Sequence, residues 1–265
     1  MKLLTLLKRL IFVPVCASCG ERLSPFPDKS LKTHGKVCLC GECYKGWLEE
    51  KAKLCTKCAL PPCKCTCIPK ALDTAVSEIP SLCFYEADGR GVQNKIIYSL
   101  KSTRNTELVS YLAFELYPYV VAEIERSGIS RDSLIFTWIP RRRSAVSKYG
   151  FDQGKLLTNA LAKLFGAKAL PIFLKFGGQE QKKLNQSERI KNLKKSLVLN
   201  YSLLGFPLKE KRDDLELILK DKNIILVDDI VTTGSSLKRA ITLLQTVSDS
   251  KIVVATVARA NGHSL

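Results

Sequence analysis

The stretch Ile224-Ile225-Leu226-Val227-Asp228-Asp229-Ile230-Val231-Thr232-Thr233-Gly234-Ser235-Ser236 constrains this chain more than any other. The apolar run at 223–228 suits a strand buried on both faces, the situation of a parallel sheet covered by helices. The run ends in two acids, and a small, hydroxyl-rich segment then opens a helix expected at 235–247. Backbone N–H groups are free at a helix N-terminus, and together with Thr and Ser hydroxyls they form a phosphate cradle. Gly234 permits close backbone approach. Asp228 and Asp229 can accept hydrogen bonds from sugar hydroxyls and help to hold a magnesium-bound ligand. The candidate ligand residues here are therefore Asp228, Asp229, Thr232, Thr233, Gly234, Ser235 and Ser236.

The surrounding periodicity extends the same pattern. Strands are expected at 81–86, 134–139, 168–174 and 251–258, and helices at 91–100, 106–126 and 153–166. Residues 140–152 read as a loop. The stretch 175–195 carries seven Lys/Arg against two Glu and reads as a mobile loop or exposed helix. Apolar strands alternating with helices predict an α/β fold, a parallel sheet flanked by helices. At the expected turn after 134–139, Arg141, Arg142 and Arg143 follow Pro140. Their planar guanidinium forks suit phosphate oxygens.

Upstream the texture changes. Ten of the 11 cysteines lie between Cys16 and Cys67, and only Cys83 falls beyond. The odd count and the CxxC pairs fit metal in a reducing compartment better than disulfides. Residues 1–72 are Lys-rich and broken by Pro and Gly, so this module needs metal in order to fold, and 73–265 forms the α/β domain. A CxxC turn sets two thiolates one tetrahedral edge apart about a zinc ion. Sequential pairing puts Cys16, Cys19, Cys40 and Cys43 on one zinc. Cys55, Cys58, Cys63 and Cys67 then hold the other, with Cys38 and Cys65 spare, because CxC strains a common centre; interleaved pairing stays open. With no vacant ligand position the sites are structural. His34 and His263 read as solvated loop residues.

Forty-two Lys+Arg against 25 Asp+Glu give a net charge of +17, which favours a phosphate-bearing partner, either nucleic acid or a polyanionic metabolite. The first residues could pass for a secretory signal, but Lys8 and Arg9 interrupt the apolar run. Leu3, Leu6, Leu7, Leu10 and Ile11 instead share one face of a short helix. No membrane span is expected, and the chain reads as cytoplasmic.

The acid pair and its Thr-Thr-Gly loop resemble the signature of type I phosphoribosyltransferases. That resemblance implies that Asp228 and Asp229 face the ribose hydroxyls of phosphoribosyl pyrophosphate (PRPP), bound with magnesium, and that Thr232 to Ser236 hold its 5-phosphate. A wider likeness is to the ComF/GntX family of competence-associated proteins, which join a Cys₄ module, here a small N-terminal zinc ribbon, to such a domain. Ile139-Pro140-Arg141-Arg142 resembles that family's V-P-x-x turn, the pyrophosphate loop, which adds Pro140, Arg141 and Arg142 to the candidate site. Gly150-Phe151-Asp152-Gln153 resembles its R-G-F-N-Q, and Gln181, Leu184, Glu188, Arg189 and Asn192 resemble its Q-x-x-L…E-R-x-x-N. Tyr149 and Asp152 depart from its Arg and Asn, which makes that loop less cationic.

Two functions follow. We read the chain as a ComF-like protein that binds PRPP and single-stranded DNA in DNA uptake or utilisation, alongside DNA-processing proteins. The alternative is an active phosphoribosyltransferase acting on a nitrogen base, for which no base-recognition element and no general acid or base can be named. Tyr44 and Trp47 are the aromatic candidates for stacking on nucleobases, and we read both as packing around the metal site. A basic zinc protein of RNA-binding type would leave the acid pair and its loop unexplained.

Overall fold

The structure, a computed structural model, describes residues 13–24, 38–72, 75–87, 89–176, 196–201 and 211–261. The expected N-terminal helix, His34, His263 and nearly all of the basic stretch 175–195 lie outside them. Five parallel strands form the main sheet: β1 (Ser81–Tyr85), β2 (Leu134–Trp138), β3 (Lys168–Ala169), β6 (Asn223–Val231) and β7 (Ile252–Ala260), in the order β1-β7-β6-β2-β3. A separate antiparallel hairpin pairs β4 (Phe173–Lys175) with β5 (Leu197–Leu199).

Central β6 shows why its sequence is apolar without alternation. Successive side chains on a strand face opposite sides of the sheet. Ile225 and Val227 enter one apolar cluster, while Ile224 and Leu226 enter the other, and all four are fully buried. The first face is covered by α2 (Val92–Ser102), α3 (Thr106–Arg126) and α5 (Gln153–Leu164). On α3, Leu108, Leu112, Leu116, Val120 and Ile124 form the buried stripe, one per turn. Its start is fixed by Asn105, whose side chain accepts from the N–H groups of Glu107 and Leu108. The second face is covered by α6 (Lys211–Leu219), α7 (Ser235–Leu244) and the hairpin.

The cysteine-rich segment shares the first of these cores. Its helix α1 (Gly41–Ala52) buries Trp47 completely in one cluster with Ile96, Leu100 and Tyr111. Lys51 pairs with Glu115 across the same contact.

Two expectations need correction. Residues 140–152 are not all loop, because α4 (Arg143–Tyr149) lies inside them, closed by left-handed Gly150 at φ 77°. The strand expected at 168–174 is two strands in different sheets, β3 and β4. Pro171 stands at the break, where a residue without an N–H cannot continue a ladder.

Candidate functional site

Asp228 and Asp229 sit near the C-terminal end of β6, and being adjacent they face opposite sides of the sheet. Asp229 meets the first face: its Oδ2 accepts from Gln153 Nε2 at 2.8 Å and lies 3.5 Å from Lys101 Nζ. Gln153 is the first residue of α5, and Lys101 lies in the last turn of α2. Asp228 belongs to the other face, where the Lys175 ammonium of β4 stabilises its carboxylate more than Lys101 does. Its Oδ1 also accepts from the Asp229 N–H at 2.9 Å.

These surroundings set the protonation of the pair. Burial, then the Asp229 carboxylate, push Asp228 up to about 7. Burial likewise draws Lys175 below the usual lysine range, partly offset by Asp228, and nearby Arg142 pulls it the same way. Two carboxylates and three cations from four segments thus converge at one strand end. The net field there suits an anion that also carries hydroxyls.

The loop after β6 joins hydroxyl side chains to a helix N-terminus, groups that can hold an anion. Gly234 caps α7 with φ 72° and ψ 0°, a left-handed conformation that glycine adopts without a Cβ penalty. A Cβ there would also lie 2.8 Å from Leu72 Cδ1 and 3.2 Å from Pro69 Cβ, so the position demands glycine twice over. Thr232 and Thr233 are exposed, Ser235 and Ser236 half-buried, and the Thr233 and Ser235 hydroxyls lie 3.0 Å apart. No side chain caps the helix. The first N–H groups of a helix have no partner within it, so those of α7 can take an acceptor from outside.

The expected pyrophosphate turn is more structural than its sequence suggests. Asp152 Oδ2 accepts from the Arg141 backbone N–H at 3.0 Å and from Trp138 Nε1 at 3.3 Å, and Oδ1 caps α5 through the Lys155 N–H at 3.2 Å. Asp152 thus ties the turn to α5. The Arg141 guanidinium stacks 4.3 Å from the Tyr149 ring centre and 5.6 Å from that of Phe151. Pro140 and Arg142 are half-buried beside it, and Arg142 is the member of the turn that acts on Lys175. Lys101, Lys175 and Gln153 were not among the expected site residues. Only Gln153 had a signal in the sequence, its place directly after Asp152.

Two cysteine clusters stand apart from this opening. Cys16, Cys19, Cys40 and Cys43 come together, and so do Cys55, Cys58, Cys65 and Cys67, each with all four sulfurs within 4.8 Å of one another. Tetrahedral zinc with bonds of about 2.3 Å needs sulfurs about 3.8 Å apart. Observed Sγ–Sγ distances are 3.7 Å for Cys19–Cys40, 3.7 Å for Cys55–Cys67 and 3.6 Å for Cys58–Cys65, so both donor sets fit that ion. In the first set, Cys40 is the N-cap residue of α1 and Cys43 lies in its first turn. The pairing is sequential.

The second set corrects the expected ligand Cys63. Pro62–Lys64 forms a 3₁₀ turn that carries Cys63 away toward Tyr119. Cys65 follows in an extended conformation, and in extended chain residues two apart project to the same side. That alternation removes the anticipated CxC strain. Cys38 is buried outside both clusters, its thiol pushed up to about 12 by burial.

Residues 153–264 match the family model of the phosphoribosyl transferase domain. Among solved structures, the chain is similar to adenine phosphoribosyltransferase from Saccharomyces cerevisiae, complexed with an imino-altritol bisphosphate and adenine. The TM-score is 0.33 and the identity 18%, over 61% of this chain and 75% of that one. Adenine phosphoribosyltransferase from Leishmania tarentolae gives 0.32 and 9%, over 62% and 74%. No curated protein sequence matches. No helix among the described residues is long and apolar enough to cross a membrane.

Proposed function

We propose that this chain binds PRPP at the end of β6 and acts, as the ComF/GntX resemblance implies, in the handling of single-stranded DNA. The observation that carries the ligand is the acid pair Asp228–Asp229, set among Lys101, Lys175 and Arg142 directly ahead of a helix opened by Gly234. In this reading the 5-phosphate takes the N–H groups and hydroxyls of 232–236, the ribose hydroxyls take the acids, and the cations face the diphosphate. Magnesium, when bound with the ligand, neutralises diphosphate charge and helps it to leave. The match of residues 153–264 to a transferase domain supports this ligand class.

The same match favours a second reading, transfer of the phosphoribosyl group to a nitrogen base. The chain would contribute by positioning the sugar and by balancing charge as it shifts to the leaving diphosphate. The charge of +17 supports the DNA part, through phosphate contacts that read no sequence. Trp47 is fully buried and offers no stacking surface.

Both parts are open to direct test. Magnesium–PRPP is expected to raise the melting temperature, and a screen of nucleobases for pyrophosphate release decides between binding and transfer. A labelled single-stranded oligonucleotide is expected to be retained at low salt and released steeply as salt rises. Failure to retain it at low salt would remove the DNA role.

A further inference from the structure

The second cysteine cluster is joined to the phosphate loop by two separate routes. The first is covalent and short. From Cys67 the chain runs through Ile68 to Pro69 and Leu72, and these two side chains occupy the space where a Cβ on Gly234 would stand. Leu72 is fully buried in the same core cluster as Val231 and Leu237, the residues flanking the loop. The second route runs through Arg259. Its buried guanidinium donates to the carbonyls of Cys65, at 2.8 Å, and Cys67, while its backbone is in register with Val231, the last residue of β6. Thr56, inside the Cys55–Cys58 turn, adds a tie from its N–H to Asn261 Oδ1 at 3.1 Å. Among the described residues the first cluster makes no such contact with Gly234: residues 13–20 lie beside residues 98–107, at the end of α2 and the start of α3.

We propose that Pro69 and Leu72 are positioning residues for the phosphate loop, and that the Cys55–Cys58–Cys65–Cys67 cluster holds them in place only while it carries its metal. The cluster contributes no atom to the ligand. It fixes a segment whose displacement would leave Gly234 and the N–H groups behind it free to move, and loose donors bind phosphate less well. Because coupling is reciprocal, ligand at the loop must in turn retard loss of metal from this cluster. The ligand half of this statement rests on the PRPP reading above; the loop half does not.

The test uses the full chain loaded with zinc. Hydrogen exchange is followed at the amides of residues 232–237 without any ligand, in wild type, in Cys67→Ser, and in Cys19→Ser, which disables only the first cluster. About ten-fold faster exchange in Cys67→Ser, with β2 amides unchanged and Cys19→Ser like wild type, is expected. Equal loop exchange in all three would overturn the proposal. Leu72→Ala and the milder Leu72→Val keep both zinc equivalents and loosen the loop in graded order; a loop indifferent to both also overturns it. Zinc transfer to a chromophoric chelator is then timed with and without PRPP. Several-fold slower release of one equivalent by PRPP, lost in Leu72→Ala, is expected. Release unaffected by bound PRPP would overturn the coupling. If PRPP does not bind wild type at all, the ligand assignment fails, while loop exchange still decides the brace.

Discussion

The Gln153 side-chain amide donates to Asp229 Oδ2 at 2.8 Å, joining the first turn of α5 to the acid pair of β6. Lys101 approaches the same oxygen at 3.5 Å from α2. Asp229, only 8% exposed, is thereby held in one orientation in the chain itself. Pre-set acceptors cost less to engage than mobile ones. Gln153→Ala should weaken magnesium–PRPP binding about ten-fold, in line with loss of one hydrogen bond to a charged group. Lys101→Met should weaken it at least as much, with little change in melting temperature, because that ion pair is partly solvated. Wild-type affinity in both variants would show that Asp229 needs no such support.

Asp228 carries a pH signature. Its folded value of about 7 lies above the roughly 3.9 of an unfolded aspartate. Between those values the folded chain keeps a proton that the unfolded chain has released. The contribution to stability is therefore greatest on the acid side and is lost as pH rises through about 7. Asp228→Asn removes the dependence. The variant should melt several degrees above wild type near pH 8 and by clearly less near pH 5. Magnesium–PRPP affinity of wild type should rise from about pH 6 to about pH 8, as the carboxylate forms. A flat affinity profile and identical melting at both pH values would contradict the assignment.

The ligand set of the second cluster is checked by counting metal. Cys65→Ser should lose one zinc equivalent of two on purification, whereas Cys63→Ser should keep both. The reverse pattern would restore the expected ligand Cys63 and the strain argument against a CxC pair.

The turns that follow the two leading CxxC pairs differ by one residue. After Cys19 the left-handed position is Gly20 at φ 77°, and after Cys58 it is Ala59 at φ 54°. The Ala59 N–H donates to the Cys55 carbonyl at 2.9 Å, just as the Gly20 N–H donates to that of Cys16 at 2.9 Å. An alanine there costs roughly 1 kcal/mol relative to glycine, offset in part by glycine's greater freedom when unfolded. Ala59→Gly should therefore raise stability by about 0.5 kcal/mol and slow zinc release from the second cluster. A destabilised variant would mean that the Ala59 methyl packs more than it strains.

These residues also show what was legible beforehand. β6 was, because a strand buried on both faces needs an unbroken apolar run and then a polar end. The start of α7 was, because Gly234 sits between hydroxyl residues directly after the apolar run. Helix α4 was not: its seven residues, RSAVSKY, bury no side chain, so no apolar period marks it. Lys101 and Lys175 were not, since a lysine on a distant helix or hairpin becomes a site residue only when the fold brings it to the acids. Cys65 was misjudged on local strain, when the deciding factor was the 3₁₀ turn that removes Cys63.

The central claim is tested most directly by calorimetric titration of magnesium–PRPP into wild type and into the double variant Asp228→Asn/Asp229→Asn. Micromolar binding to wild type that disappears in the double variant, with both proteins folded and carrying two zinc equivalents, is the predicted result. No heat of binding to wild type, or equal binding to both, would contradict a PRPP site at the end of β6.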